Sequence, residues 1–359
     1  MWWIYLMISS ILSEDIFFSL KSSFFYIRFG LFAFATWYII ENKYFSLSLF
    51  FKIYFIFILM LVLSAIVEMV FFNESYFNTT NTRLSGFFYD EMVLGEYLSI
   101  ASFLLVAIFA YLYNKNSYKY LIVFSALSIL ISIIFLSGER SAFISSFLSI
   151  IIILILSVKS KRIFLFSVAI FCLFIYSVIT LNVDSKNRMF NYTLIQLKSE
   201  NISNVFSFKG VNLLPIDYYE KNISAYKMFL DKSFTGHGPN MYRKVCSDKK
   251  YISQFSCSTH PHSTYLQLLS ETGIVGITPI ILIFLYLNYK FFLQLLFVLK
   301  IKKKEIFKFH ELLVIVPFYI FLFPFIPSMN FFNNWNSILI YLLIGFILYF
   351  INNRSEAIN

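Results

Sequence analysis

His260-Pro-His-Ser-Thr-Tyr-Leu-Gln-Leu-Leu-Ser-Glu-Thr-Gly-Ile-Val-Gly276 is a polar, titratable stretch that leads straight into a long apolar run. Pro261 stops any earlier helix and suits the start of a new one. From His262 onward, Leu266, Leu269 and Gly273 recur at helical spacing on one face. This predicts His262 near the first turn of a helix that then enters a bilayer. A histidine exchanges protons near neutral pH, and membrane spanning does not require one. The bland alternative is an interfacial histidine that only hydrogen-bonds. If 262–271 is unbroken helix, Glu271 points about half a turn away from His262, at about 100° per residue. A carboxylate orienting His262 is then sought at Asp90, Glu91 or Glu139.

Outward from this stretch, composition sets the class. The 359 residues are 59% hydrophobic and only 13% charged, with a mean hydropathy of +0.74. That excludes a soluble globular domain and predicts a polytopic membrane protein. The net charge of +10 does not imply nucleic acid, because the lysines lie mostly in short loops between apolar runs. Met1 to Leu12 is a short apolar segment ended by Ser13-Glu14-Asp15. It has no basic leader region and no small-residue cleavage site, so it reads as a short first span rather than a cleaved signal. Further spans are expected near 24–40, 50–72, 93–113, 120–137, 141–158, 163–181, 273–299, 311–329 and 335–352, about ten with the first. The expectation is an all-α transmembrane bundle, one integral membrane domain over 1–359.

Orientation follows from lysine. Loops carrying Lys43 and Lys52, Lys115 and Lys119, Lys159 to Arg162, and Lys300 to Lys304 alternate with less basic ones. Placing these four in the cytoplasm puts both termini inside. The outer face then holds 73–92, the turn Ser137-Gly-Glu-Arg140, the turn near Asn330, and a long loop over 182–272. A loop of that length implies a structured element. Within it, Ile223, Tyr226 and Leu230 recur at helical spacing, which suits a helix on the membrane surface.

Arginine breaks the lysine pattern. Arg83, Arg140, Arg188 and Arg243 all fall on the expected outer face. Arginine makes bidentate contacts to phosphate, so outward arginines beside a histidine suggest an anionic, phosphate-bearing ligand. The alternative is snorkelling or pairing with Asp90, Glu91 or Glu139. That alternative is preferred for Arg188, and function is preferred for Arg140. Asp90 and Glu91 close an outer segment that starts at Arg83 and runs through Gly86. His237 is flanked by glycines, which let backbone approach a ligand closely. Cys246 and Cys257 share one outer loop with ten residues between them, a spacing that fits a disulfide on an oxidising face. Zinc with His260 and His262 is the alternative, but Cys-x10-Cys-x2-His-x-His is not a usual zinc spacing. Cys172 lies inside an apolar run and reads as a small core residue.

These motifs, in this order, resemble the O-antigen ligase and O-antigen polymerase family of bacterial membrane glycosyltransferases. His262-Ser263, nine residues, then Gly273-Ile-Val-Gly276 resembles the family's histidine signature. Ser137-Gly-Glu-Arg140-Ser-Ala resembles its arginine turn. Arg83-x-x-Gly86 through Asp90, Glu91 and Gly95 resembles an earlier outer segment, and Gly236-His237-Gly-Pro with Arg243 the approach to the histidine. The resemblance covers roughly 80–300.

The resemblance implies a GT-C-like membrane glycosyltransferase in the bacterial inner membrane, its site facing the periplasm. Such enzymes move a glycan from a polyprenyl diphosphate carrier to an acceptor hydroxyl. In a ligase the acceptor is lipid A-core; in a polymerase it is another carrier-linked glycan. The residues agree with those needs: His262 as general base, and Arg140, Arg83 and Arg243 as charge for the departing diphosphate. His237, Asp90 and Glu91 are further candidate substrate contacts. No Asp-x-Asp pair occurs, so neither a divalent metal nor a cofactor is expected, and no nucleotide-sugar site is visible. A glycolipid transporter is the reading of a different class. It calls for ionisable residues at mid-span, and only Glu68 and Glu96 approach span interiors.

Overall fold

The computed structural model describes residues 1–71, 83–89, 91–116, 118–157, 161–181, 183–198, 207–208, 211–212 and 215–356. Asp90 lies outside the described residues. Among the described residues the regular structure is helical apart from one hairpin of two-residue strands, which pairs Ser207 with Asn212 and Phe208 with Val211.

In chain order the helices are α1 (Trp2–Ile11), α2 (Ile16–Glu41), α3 (Leu47–Phe71), α4 (Leu94–Leu112), α5 (Lys119–Leu136), α6 (Arg140–Ser157) and α7 (Lys161–Leu181). They continue with α8 (Val183–Lys186), α9 (Tyr192–Lys198), α10 (Ile216–Asp231), α11 (Tyr242–Val245), α12 (Thr264–Val298), α13 (Phe309–Phe321) and α14 (Asn334–Glu356). Among the described residues eight of them, α2 to α7, α12 and α14, are long and apolar enough to cross a membrane. Ten spans were expected. The other two segments form α1 and α13, with 10 and 13 residues. At about 1.5 Å per residue neither reaches across a hydrocarbon core of about 30 Å.

Two helices begin earlier than their apolar runs. Asp15 starts α2, its carboxylate accepting from the Phe18 amide at 2.9 Å. Ser263 starts α12: its carbonyl accepts from the Gln267 amide at 2.8 Å, and its hydroxyl faces the Leu266 amide at 3.4 Å. Caps of this kind satisfy amides that the first turn leaves open. His262 therefore stands just before the helix, not in its first turn, and has a left-handed φ of 58°.

The residues group into two compact units. One comprises 1–32, 192–287 and 322–341; the other comprises 33–191, 288–321 and 342–359. In the second unit, α4 packs against α3, α5, α6 and α13. Gln294 bridges polar backbone there. Its amide nitrogen donates to the Leu156 and Phe307 carbonyls, and its oxygen accepts from the Ile306 and Phe307 amides.

In the first unit, α1 docks on α12 through polar atoms. Trp2 Nε1 donates to the Gly276 carbonyl at 2.7 Å, and the Tyr5 hydroxyl to the Thr272 carbonyl at 2.6 Å. A small core joins α10 and α11 through Ala225, Met228, Met241, Tyr242, Val245 and Tyr251. Cys246, also in this core, is disulfide-bonded to Cys257, with Cα atoms 5.3 Å apart. On α10 the inward residues are Ser224, Ala225 and Met228. Tyr226 and Leu230, two members of the expected apolar stripe, face outward with 47% and 58% exposure. Cys172, read as a core residue, is exposed.

Candidate functional site

The histidine site is built from segments far apart in sequence. The 322–328 segment clamps the approach to α12. The Ser328 amide donates to the His262 carbonyl at 3.0 Å, and the Thr264 hydroxyl donates to the Ser328 hydroxyl at 2.8 Å. The Tyr265 hydroxyl donates to the Leu322 carbonyl at 2.8 Å. Deeper, Gln267 donates to Asn330 Oδ1 at 2.8 Å and to Glu271 Oε2 at 3.1 Å, and its oxygen accepts from the Phe331 amide at 2.9 Å. Glu271 also accepts from the Tyr242 amide at 2.9 Å. A buried polar group costs free energy unless paired, so this closed network fixes the loop and the helix together. Glu271 is spent on α11, away from His262, as its helical position predicts.

His260 fixes its own tautomer. Nε2 lies 3.1 Å from the Ser328 carbonyl, which only accepts, so Nε2 carries the proton. Nδ1 then accepts from the Thr259 hydroxyl at 3.0 Å. Burial, then the neighbouring His262, press the His260 pKa down to about 3. The His262 ring packs 4.1 Å from the His260 ring and 5.0 Å from the Tyr218 ring on α10. Burial, then the Lys221 ammonium, hold its pKa down at about 4. Both imidazoles are therefore neutral at pH 7, and His262 is available to take a proton. Tyr218, Lys221, His260 and Ser328 frame His262, and none of them stood out as site members by sequence. The one available signal was the i, i+3 placement of Tyr218 and Lys221 on the amphipathic helix. Arg243 is exposed, and its charge acts on His260.

His237 is placed differently from expectation. It is fully buried, its Nε2 donates to the Met228 carbonyl at 3.1 Å, and its ring meets Tyr251. The glycines beside it do admit close backbone approach, but to α12 rather than to a ligand. The His237 amide donates to the Ser270 carbonyl at 2.9 Å and the Gly238 amide to the Glu271 carbonyl at 2.7 Å. Gly236 has φ 69°, and a Cβ there would collide with the Glu271–Thr272 peptide. Gly273 belongs to the same lock. Its φ of 64° interrupts α12, and a Cβ would collide with the Phe234 carbonyl. Gly273 thus breaks the helical face it was expected to extend. A Cβ on Gly276 would collide with the Thr272 side chain and crowd Tyr5.

In the other unit, the turn 137–140 is held by its own carboxylate. Glu139 accepts from the Gly95 amide at 2.7 Å and the Glu96 amide at 3.0 Å, which caps α4. Burial, then Glu96, raise its pKa to about 7. Gly138 is left-handed at φ 72°. Arg188 Nε donates to its carbonyl at 3.1 Å. A Cβ on Gly138 would stand 2.7 Å from Arg188 Cδ and 3.5 Å from Arg83 Cγ. Arg83 and Arg188 therefore meet at the turn that starts α6 with Arg140. Arg188 was set aside by sequence and belongs to this cluster. Arg83 Nε is buried with no hydrogen-bond partner. Glu68 of α3 holds the segment after Arg83, accepting from the Ser85 and Gly86 amides at 2.9 and 2.6 Å. Glu91 is exposed, and its amide donates to the Phe88 carbonyl at 3.0 Å.

Residues 124–281 match the model of the O-antigen ligase family. The match supports assigning the chain to that family. It takes in the arginine turn, the histidine stretch and both glycines of Gly273-Ile-Val-Gly276. No curated protein matches the chain. Family and helices together support a multi-pass membrane protein with a glycan-transfer function in O-antigen assembly, acting on lipid-linked glycans.

Proposed function

We propose that the protein is an O-antigen ligase-like transferase that moves a glycan from a polyprenyl diphosphate carrier to a hydroxyl of lipid A-core, on the periplasmic face of the inner membrane. His262 takes the proton of the acceptor hydroxyl as that oxygen attacks the anomeric carbon. The bond from that carbon to the diphosphate oxygen breaks, and the polyprenyl diphosphate leaves with the electron pair. Arg243, in the same unit as His262, supplies positive charge to the diphosphate, and Arg140 and Arg83 are separate candidate contacts, each tested by its own variant. The observation that carries the reading is His262 itself: a neutral imidazole outside the helix, framed by Tyr218, His260 and Lys221. A base with a pKa of about 4 is weak at neutral pH. The arriving diphosphate brings negative charge, which favours the imidazolium and strengthens the base when substrate is present.

His262→Asn in purified protein, assayed with carrier-linked glycan, tests the base. Asparagine tolerates the left-handed backbone that His262 adopts but cannot act as a base. Transfer should fall by about two to four orders of magnitude. Near-normal transfer removes the assignment. The acceptor is tested by the surface glycan of a deletion strain. Loss of all polymer with carrier-linked glycan accumulating supports the ligase. A single repeat unit left on the core identifies a polymerase.

A further inference from the structure

The first unit holds a cavity of about 550 Å³ between the first half of α2, the Asn240–Arg243 turn and the start of α14. Its volume is in the range of small-molecule sites. Three cations line it, Lys21, Arg28 and Arg243, and its described lining residues include no Asp or Glu. The guanidinium of Arg28 donates to Asn334 Oδ1 at 2.6 Å and lies 4.8 Å from the centroid of the Phe29 ring, and it forms no salt bridge among the described residues. Lys21 and Arg243 form no salt bridge among the described residues. Phe25 and Phe29 supply apolar wall beside these charges, and Phe25 is itself 50% exposed.

Basic groups without a carboxylate partner on a membrane-length helix are costly and mark ligand pathways. Two of them on α2, with Arg243 of α11 beside the same aromatic-walled cavity, match a ligand with concentrated negative charge next to an apolar chain. Arg243 lines the cavity, and its charge also acts on His260 in the same unit. Asn240 adds polar capacity: Nδ2 donates to the Ser22 hydroxyl at 3.2 Å, and its buried Oδ1 has no partner.

We infer that this cavity is a binding site for the diphosphate headgroup of a membrane lipid, with Lys21 and Arg28 as contacts not assigned by any motif. The inference rests on the proposed donor and adds the residues that seat it. Lys21 and Arg28 grip the phosphoryl oxygens, and the first isoprenoid units lie along the exposed Phe25.

The test uses the full chain in phosphatidylcholine nanodiscs and farnesyl diphosphate as the probe. Lys21→Gln and Arg28→Gln should each weaken binding about tenfold to a hundredfold, as loss of a charged hydrogen bond does. Lys249→Gln, which removes the same charge from an exposed site, should leave binding unchanged. Arg28→Lys, which keeps the charge within the fold, should restore binding to within about tenfold of the native chain. Unchanged affinity in Lys21→Gln and Arg28→Gln overturns the inference. So does displacement of the probe by phosphatidylglycerol, which identifies a site for bulk lipid. Equal affinity for inorganic pyrophosphate overturns the lipid part. Failure of the native chain to bind the probe while transfer proceeds sinks the cavity site and spares the proposed reaction. Normal binding loss in the variants, with His262→Asn fully active, supports the cavity and sinks the base.

Discussion

Lys221→Met tests the electrostatic account of His262. Two causes hold the His262 pKa at about 4 against an ordinary 6.5, burial first and the Lys221 ammonium second. Together they account for a difference of about 2.5 pH units, and the lysine supplies the smaller part, so its removal should raise the pKa by less than about 1.3 units. The base works only when neutral, so protonation on the acid side abolishes transfer. In the native enzyme the acid limb of kcat/KM, which reports the free protein, should therefore lie near pH 4. In Lys221→Met it should move upward, toward but not reaching 6.5. The limb of kcat reports the substrate complex and should lie above that of kcat/KM in both proteins, because bound diphosphate favours the protonated imidazole. The assay is initial-rate transfer from carrier-linked glycan between about pH 3.5 and 8. A native limb near 6.5, or a downward move in Lys221→Met, refutes the reasoning. Met keeps the length of the stem that packs beside Tyr218, so packing loss alone gives a lower rate with no displaced limb.

Two further outcomes follow from the turns. Gly273→Ala places a side chain at a left-handed residue and against the Phe234 carbonyl; it should cost about 2 kcal/mol or more of stability, read by thermal unfolding in detergent, whereas Gly30→Ala, with nothing within 4 Å, should be neutral or stabilising by up to about 1 kcal/mol. Arg140→Lys should be nearly as damaging to transfer as Arg140→Ala, because lysine keeps the charge but not the two-pronged contact; near-native rates for Arg140→Lys would return Arg140 to a purely structural role.

The helices were legible because a bilayer demands a simple signal: about twenty apolar residues in a row. That signal places the middle of a helix and says little about its ends. Asp15 and Ser263 extend α2 and α12 beyond their apolar runs by capping, which depends on single side chains. α1 and α13 show the converse, since an apolar segment need not be long enough to span. Tyr226 and Leu230 recur with helical period in either case, and the period does not tell core from membrane. Only the packing of Ala225 and Met228 decides which face of α10 turns inward.

The site was legible where chemistry is local and hidden where it is long-range. His262 and the arginine turn stand out because their residue types are unneeded by a membrane span. Ser328 does not, because serine near a helix end is common, and its role exists only through a contact across 66 positions of chain from His262. The glycines around His237 show the limit most clearly. Sequence suggests that backbone at Gly236 and Gly238 can approach a ligand closely, but the group that comes close is not a ligand. It is the backbone of α12, locked by Gly273 on the other side, and the histidine between the glycines is buried as a consequence. The same lock sets the entrance to α12 behind His262. A motif of histidines and glycines therefore divides by physical role: the glycines, and His237 with them, hold the loop in place, and the proposed chemistry falls to His262 alone.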